Sequence, residues 1–164
     1  MVRYDRKVFT NGPVAIGFTT SFRMGQLLAH SLSVPEPPAD CNLHRWMVTS
    51  FVDAVRDCLK AGGYAQKDKE EERGGTFLVG IRGRLFHVSG DYQVGEPAAG
   101  FDACGCGFEI ARGALAATRG RPAFDRVTTA LRAAEEFSAG VRGPFYIVQK
   151  PPQRLSMVRA MAAE

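Results

Sequence analysis

The 164-residue sequence is 45% hydrophobic and 23% charged, which suits one globular unit with a substantial core. A mean hydropathy of −0.13 and 11 phenylalanines exclude a disordered chain and a coiled-coil rod. No stretch approaches the ~18 consecutive apolar residues of a membrane span, and Arg3, Asp5, Arg6 and Lys7 interrupt the apolar run that a signal peptide needs. We therefore expect a cytoplasmic protein that does not bind membranes.

The net charge of +4 comes from 21 basic and 17 acidic residues that are interspersed along the chain. Because no basic block is present, we expect no nucleic-acid partner. A chain of this length does not need disulfides for stability, so the cysteines are predicted to be free thiols in a reducing compartment. The cysteines are Cys41, Cys58, Cys104 and Cys106.

The first elements are predicted from alternation and turn residues. Residues 2–9 and 14–18 are typical of two antiparallel strands around the turn at Asn11-Gly12-Pro13. A loosely apolar face then predicts a helix over 20–32, which ends before the proline-rich residues 35–38.

The next helix shows the strongest periodicity in the sequence. Asp40 is predicted as its cap, and Gly62-Gly63 ends it. Its apolar stripe recurs every three or four residues and consists of Leu43, Met47, Phe51, Val55 and Leu59. The charged stretch 66–73 has no apolar face and is predicted to be an exposed loop.

Strands are predicted for most of the following segment. Residues 76–81 and 84–88 flank Arg82-Gly83 and indicate a hairpin of buried strands. Glycine and proline bracket two further predicted strands, at 91–95 and 101–106.

Two helices and a last strand complete the predicted elements. The helices cover 107–118 and 123–138, with Pro122 suited to a first turn, and the strand covers 144–148. The inward-facing residues are expected to be Ala111, Leu115, Thr118, Phe124, Val127, Leu131 and Ala134. Because helices occur in pairs between groups of strands, this order favours sheets packed between helical layers. Residues 1–149 are predicted to form the domain, and 150–164 a tail that is frayed or docked on a partner.

The local sequence motifs give only weak indications of a cofactor or metal site. Gly105-Cys106-Gly107 lacks the third glycine of a dinucleotide loop, since Ile110 stands there, and close packing at a turn is favoured. His87 alternates with Phe86 and Val88 in a strand and is expected to face solvent. A zinc site is an open alternative, although the spacing matches no known finger. Its ligands would be Cys41, His44, Cys104 and Cys106.

Three strings occur in an order that resembles the proteasome β-subunit and HslV family of N-terminal nucleophile hydrolases. They are Gly17–Thr20, which leads into a helix, Leu85–Pro97, and Ala103–Gly107 before an alanine-rich helix. The resemblance spans about residues 2–149. It is closest to short proteasome-like proteins of actinobacteria and their phages.

The resemblance implies an α+β fold, an αββα four-layer sandwich of two antiparallel sheets between helix pairs. It also implies an amino-terminal threonine whose hydroxyl is the nucleophile and whose α-amine is the base. Family members carry a further strand pair ahead of the segment that resembles residues 2–18, whereas this sequence begins at Met1. The first strand pair and the nucleophile are therefore expected to be missing.

Apart from the nucleophile, the resemblance implies only residues that would support catalysis. The family's lysine falls at about Asp5, and Lys7 lies two residues on, facing the same side of the strand. The family's serine aligns with Cys106, and its later aspartate aligns around Ala139 and Gly140, where no carboxylate is present. The candidate site residues are thus Asp5, Lys7 and Cys106, with no cofactor.

We expect a proteasome/HslV-like protein that is non-proteolytic as given and acts as a structural component through self-association, in a ring or stacked homo-oligomer. A second chain could supply the missing strands. The first alternative is a threonine-type peptidase whose nucleophile lies upstream, and the second is a Cys/His metal-binding regulator. The location would be cytoplasmic, or the virion if the protein is phage-encoded.

Overall fold

A computed structural model describes residues 5–68 and 71–149. The predicted tail at 150–164 and the start of the first predicted strand lie outside the described residues. In chain order the strands are β1 (Val8–Asn11), β2 (Val14–Phe18), β3 (Gln66–Asp68), β4 (Glu71–Arg73), β5 (Phe77–Ile81), β6 (Arg84–Val88) and β7 (Val94–Gly95). The helices are α1 (Phe22–His30), α2 (Leu43–Trp46), α3 (Val52–Ala61), α4 (Phe108–Ala117) and α5 (Ala123–Phe137).

The main sheet has five antiparallel strands in the order β1-β2-β5-β6-β7. The register places Gly17 opposite Leu78 and Leu78 opposite His87, so these three residues share one face. The two predicted hairpins, β1–β2 and β5–β6, are confirmed. Because side chains alternate along each strand, the sheet has two distinct faces.

One face, called the core face below, is buried against helices. Its residues are Phe9, Val14, Ile16, Phe18, Phe77, Val79, Ile81, Phe86 and Val88. The other face, called the open face, consists of Val8, Thr10, Ala15, Gly17, Leu78, Gly80, Leu85 and His87, which are half-exposed apart from the exposed Thr10.

Helices α1 and α3 cover the core face through fully buried side chains such as Met24, Leu28 and Leu59. The Ser21 side chain accepts a hydrogen bond from Arg23 N at 3.1 Å and caps α1. The predicted cap at Asp40 is wrong, because α2 begins at Leu43 and its cap is Asn42. A π-helical segment, Met47–Phe51, joins α2 to α3, and Gly62 ends α3 as predicted.

Helices α4 and α5 pack against each other and form a second, smaller apolar cluster around Leu115, Ala130 and Ala134. The inward positions predicted at Leu115 and Thr118 are confirmed. The prediction is wrong for Phe124 and Val127, which are 51% and 37% exposed. The buried side of α5 consists of small alanines that allow close approach to α4, and within the described residues no further layer covers Phe124.

The charged stretch 66–73 is not the predicted loop. Strands β3 and β4 pair with Gln66 opposite Arg73 and form a two-stranded sheet separate from the main one. Backbone hydrogen bonds alone define such a hairpin, so the lack of an apolar face did not exclude it.

The predictions of strands at 101–106 and 144–148 are wrong, because neither segment is a strand in the structure. Of the strand predicted at 91–95, only the last two residues are a strand, which is β7. A strand requires a partner whose backbone groups pair with its own. Neither 101–106 nor 144–148 has a ladder partner in the described part of the chain. The protein is therefore α+β with one large antiparallel sheet, and the predicted pair of stacked sheets is not present within 5–68 and 71–149.

No helix in the described ranges is both long enough and apolar enough to span a membrane.

Candidate functional site

The two strand charges predicted as supporting residues lie beside α1. Asp5 Oδ2 accepts a hydrogen bond of 3.4 Å from Gln26 Nε2, and Lys7 Nζ lies 5.1 Å from the centroid of the Phe22 ring. Phe22 and Gln26 are four residues apart and share a helix face. The structure thus places Asp5 and Lys7 just before β1 and outside any strand, next to the first half of α1.

Cys106 lies in a different contact environment. It is exposed, and it packs so closely on Gly140 that a Cβ at Gly140 would lie 2.7 Å from Cys106 Cβ and 2.9 Å from its Sγ. The three predicted site residues therefore contact three different neighbours: Gln26, Phe22 and Gly140.

The turn at Thr19 and Thr20 lies next to the segment that contains Cys104 and Cys106. Thr20 has φ 70°, and its Oγ1 accepts a hydrogen bond of 3.2 Å from Thr76 N. Gly105 has φ 106°, which favours glycine, and a Cβ there would lie 3.5 Å from Thr19 Oγ1. The positive φ therefore explains this glycine, whereas the predicted close packing is found at Gly107, where a Cβ would lie 2.9 Å from Ala134 Cβ.

Cys104 is a poor nucleophile in this environment. Burial raises the pKa of its thiol to about 11, and the charge of Asp102 acts in the same direction, while Lys7 opposes it. A thiol with this pKa is almost wholly protonated at neutral pH, so Cys104 has a packing role.

The four cysteines are free thiols on two sides of the protein, which argues against the predicted zinc ligand set. Cys41 lies 3.9 Å from Arg82 Nη1, and the His44 ring packs 6.4 Å from the Phe86 ring. Cys104 and Cys106 lie instead beside Thr19 and Gly140. The residues described here hold no group of three or more metal-ligating side chains.

A network that sequence reasoning missed joins the sheet to α4. His87 Nδ1 donates to Asp102 Oδ2 at 2.7 Å, and Arg112 Nε lies 3.1 Å from Asp102 Oδ1. The same Oδ1 accepts a hydrogen bond of 2.8 Å from Ala103 N. The Asp102 side chain is only 9% exposed, so its charge is balanced by these donors.

The prediction that His87 faces solvent is therefore wrong: its side chain is 26% exposed and bound to Asp102. Alternation correctly placed His87 on the open face, opposite to Phe86. Asp102 is 15 residues further on, so no local spacing reveals the pair.

The network forms one wall of a cleft of about 340 Å³ at the end of β6. Its lining residues are His87, Ser89, Gln93, Gly95, Glu96, Pro97, Asp102 and Arg112. Glu96 is paired with Arg84 through two hydrogen bonds, and this pairing holds the pKa of Glu96 below its usual range.

Comparison with solved structures identifies the architecture. Thiobacillus denitrificans BPH superposes with a TM-score of 0.67 at 25% identity, and the match covers 87% of this chain and 77% of BPH. The fold is that of proteasome/HslV-like proteins. The chain also matches BPH in complex with epoxomicin, at 24% identity and a TM-score of 0.67, over 87% of this chain and 78% of that one.

Eukaryotic HslV from Trypanosoma brucei is a further structural neighbour, with a TM-score of 0.56 at 21% identity. That match covers 84% of this chain and 76% of HslV. No protein-family model and no curated protein sequence matches the chain. The likeness is therefore visible in the arrangement of elements more than in the sequence.

Proposed function

We propose that this protein is a proteasome/HslV-like subunit that works through self-association, in a ring or stacked homo-oligomer. The observation that carries the proposal is the open face of the sheet. Its apolar residues Val8, Leu78 and Leu85 remain half-exposed beside the fully buried core face. A contiguous apolar surface of this kind is typical of a face that another layer covers.

The segments 101–106 and 144–149 mark where that layer would form. Asp102 binds His87 on β6, and the Arg6 guanidinium lies 4.7 Å from the centroid of the Tyr146 ring near β1. Both segments thus lie beside the main sheet without strand partners among the described residues. Strands from a second chain would pair with them and complete the αββα sandwich that the sequence resemblance implies.

Association of this kind fits a cytoplasmic protein, or a virion component if the protein is phage-encoded. Proteasome-like proteins assemble as rings, as the resemblance implies, and cyclic symmetry lets one surface bind its neighbour repeatedly without open ends.

Light scattering coupled to size-exclusion chromatography tests self-association. We expect a defined oligomer for the native chain and a shift toward monomer for Leu78→Asp, because a carboxylate on the open face must be desolvated on assembly. Val48→Asp is the matched control, since Val48 is 41% exposed on a helical segment away from this face. A native chain that stays monomeric over a wide concentration range would overturn the proposal.

We further propose that the chain as given does not cleave peptides. The supporting residues Asp5, Lys7 and Cys106 contact separate neighbours, which are Gln26, Phe22 and Gly140. Thr19 cannot supply a free α-amine at its present position, because its nitrogen belongs to the peptide bond with Phe18. Assembled protein should leave fluorogenic peptides intact, and sustained turnover would contradict this part of the proposal.

A threonine-type peptidase is the second candidate. The observation in its favour is that the neighbour BPH was solved in complex with epoxomicin. The site would include the Thr19-Thr20 turn, which lies next to Gly105. Mass spectrometry of the amino terminus of the natural protein tests it: a processed threonine together with epoxomicin-sensitive peptide hydrolysis would establish this candidate, and Met1 with no hydrolysis would reject it.

A further inference from the structure

The cleft at the end of β6 gathers polar groups that the proposed association does not use. His87 and Ser89 are two residues apart at the end of one strand, and Gln93 follows in the next turn. Arg112 reaches the same cleft from α4. Three parts of the fold, β6, the turn after it and α4, therefore contribute polar side chains to one concave surface of about 340 Å³, within the size range of small-molecule sites.

Asp102 fixes the orientation of the imidazole. Since a carboxylate only accepts, the 2.7 Å contact requires the proton on His87 Nδ1. The other ring nitrogen, Nε2, has no hydrogen-bond partner among the described residues. His87 is thereby held in one tautomer, with the free nitrogen available to a ligand.

Asp102 also orients Arg112. The ion pair joins Arg112 Nε to Asp102 Oδ1 at 3.1 Å. The guanidinium carbon of Arg112 also lies 5.7 Å from the centroid of the Phe108 ring. The Nη groups form no ion pair or hydrogen bond in the described part of the chain. The Arg112 side chain is 51% exposed, so these groups are accessible from the cleft.

Protonation of His87 adds one positive charge to the groups around the cleft. The charged groups around His87 are Asp102 and Arg112, which bind each other, and Glu96 and Arg84, which also bind each other. Asp91, in the following turn, accepts a hydrogen bond from Gln93 N through Oδ1. Each pair is neutral, so protonation of His87 adds a positive charge close to the donors of Arg112.

We propose that this cleft is a binding site for a small molecule with an oxyanion group, a carboxylate or a phosphate, held by the Arg112 Nη groups and His87 Nε2. Ser89 and Gln93 line the same surface and supply neutral donors to the remaining oxygens. A guanidinium and an imidazolium that share one oxyanion form charge-assisted hydrogen bonds, which are stronger than neutral ones.

Titration of the full chain with sodium sulfate and with sodium acetate tests the site. Binding is measured at about pH 6 and about pH 8, where the charge of both anions stays constant. We expect saturable binding together with anion-dependent shifts of the His87 ring signals in NMR. Stronger sulfate binding would assign a phosphate ligand, and stronger acetate binding a carboxylate ligand.

Two variants separate ligand binding from the structural role of the network. Arg112→Gln should weaken the favoured anion about tenfold or more, because a charge-assisted contact is lost. His87→Asn keeps a donor near Asp102 and removes Nε2, so binding should become weaker. Arg121→Gln is the control, because Arg121 is exposed and outside the cleft.

A purely structural role for the network predicts a different pattern. The variants would then lower thermal stability, and the native chain would show neither saturable anion binding nor shifts of the His87 signals at either pH. That result, or equal binding by the native chain and Arg112→Gln with circular dichroism unchanged, would overturn the proposal.

Discussion

The two faces of the main sheet are built from the same strands but differ in what covers them. On the core face, Ile16, Val79 and Phe86 are fully buried under α1 and α3. On the open face, Leu78 and Leu85 are half-exposed, and the nearby segments 101–106 and 144–149 carry no ladder. The difference indicates that the core face stabilises the chain, while the open face is the surface that we propose for association.

The largest expected effect comes from shortening one apolar side chain on each face. Ile16→Ala leaves a cavity in a close-packed core and should lower the free energy of unfolding by about 2–5 kcal/mol. Leu78→Ala removes a side chain of similar volume from the open face and should lower the free energy of unfolding of the monomer by clearly less. Denaturant unfolding of both variants measures the difference, and equal losses would contradict the distinction between the faces.

A pair of helical glycines should give effects of opposite sign. A Cβ at Gly25 in α1 would lie 2.1–2.5 Å from atoms of the buried Phe18 ring, so Gly25→Ala should destabilise the protein by about 1–3 kcal/mol. A Cβ at Gly113 in α4 meets nothing within 4 Å, and Gly113→Ala should stabilise by about 0.4–1 kcal/mol. Thermal unfolding of the two variants checks the signs, and a loss at Gly113 as large as that at Gly25 would show that α4 is covered as tightly as α1.

Thiol reactivity should separate the two cysteines of the segment beside the open face. Alkylation of the exposed Cys106 at about pH 8 should be at least about tenfold faster than that of Cys104, whose raised pKa of about 11 leaves little thiolate. The Cys104 rate should keep rising with pH up to about 11. Peptide mapping by mass spectrometry follows both sites.

Asp102→Asn provides the matching control, because it removes a charge that raises the Cys104 pKa and should accelerate labelling at that site. A Cys104 that reacts as fast as Cys106 in the native chain would show that the segment is open.

The smallest effect is expected at the Arg84–Glu96 ion pair at the rim of the cleft. Hydrogen bonds from Arg84 lower the pKa of Glu96. The ion pair therefore stabilises the folded state at pH values above the ordinary carboxyl pKa, and this stabilisation is lost as the pH falls through the lowered pKa of Glu96. Because Glu96 is solvent-exposed, Glu96→Gln should change neutral-pH stability only slightly, and the difference from the native chain should vanish on acidification. A large loss at neutral pH would assign this ion pair a greater structural role.

The sequence predicted the elements whose partners are close along the chain. Both hairpins of the main sheet and the helices α1, α4 and α5 follow from alternation, turn residues and apolar periodicity. The strand pattern at 101–106 is equally good locally, yet no strand forms. Pairing is a long-range property, and the described residues offer this segment no strand partner.

The site was predicted less completely than the fold. Asp5 and Lys7 precede β1, so the strand alternation predicted for them does not apply, and their contacts with Gln26 and Phe22 depend on how α1 packs. The His87–Asp102 pair joins residues on different elements, which a single sequence does not bring together. A buried carboxylate is recognisable only when its partners are known in space.

Hydrogen exchange measured by mass spectrometry tests the central claim, that association through the open face completes the fold. Amides in 101–106 and 144–149 lack ladder partners in the described chain and should exchange quickly when the protein is dilute. If strands of a second copy pair with them, the same amides should become protected as concentration rises, in parallel with oligomer formation. Fast exchange of both segments at every concentration, in a chain that remains folded, would contradict the account.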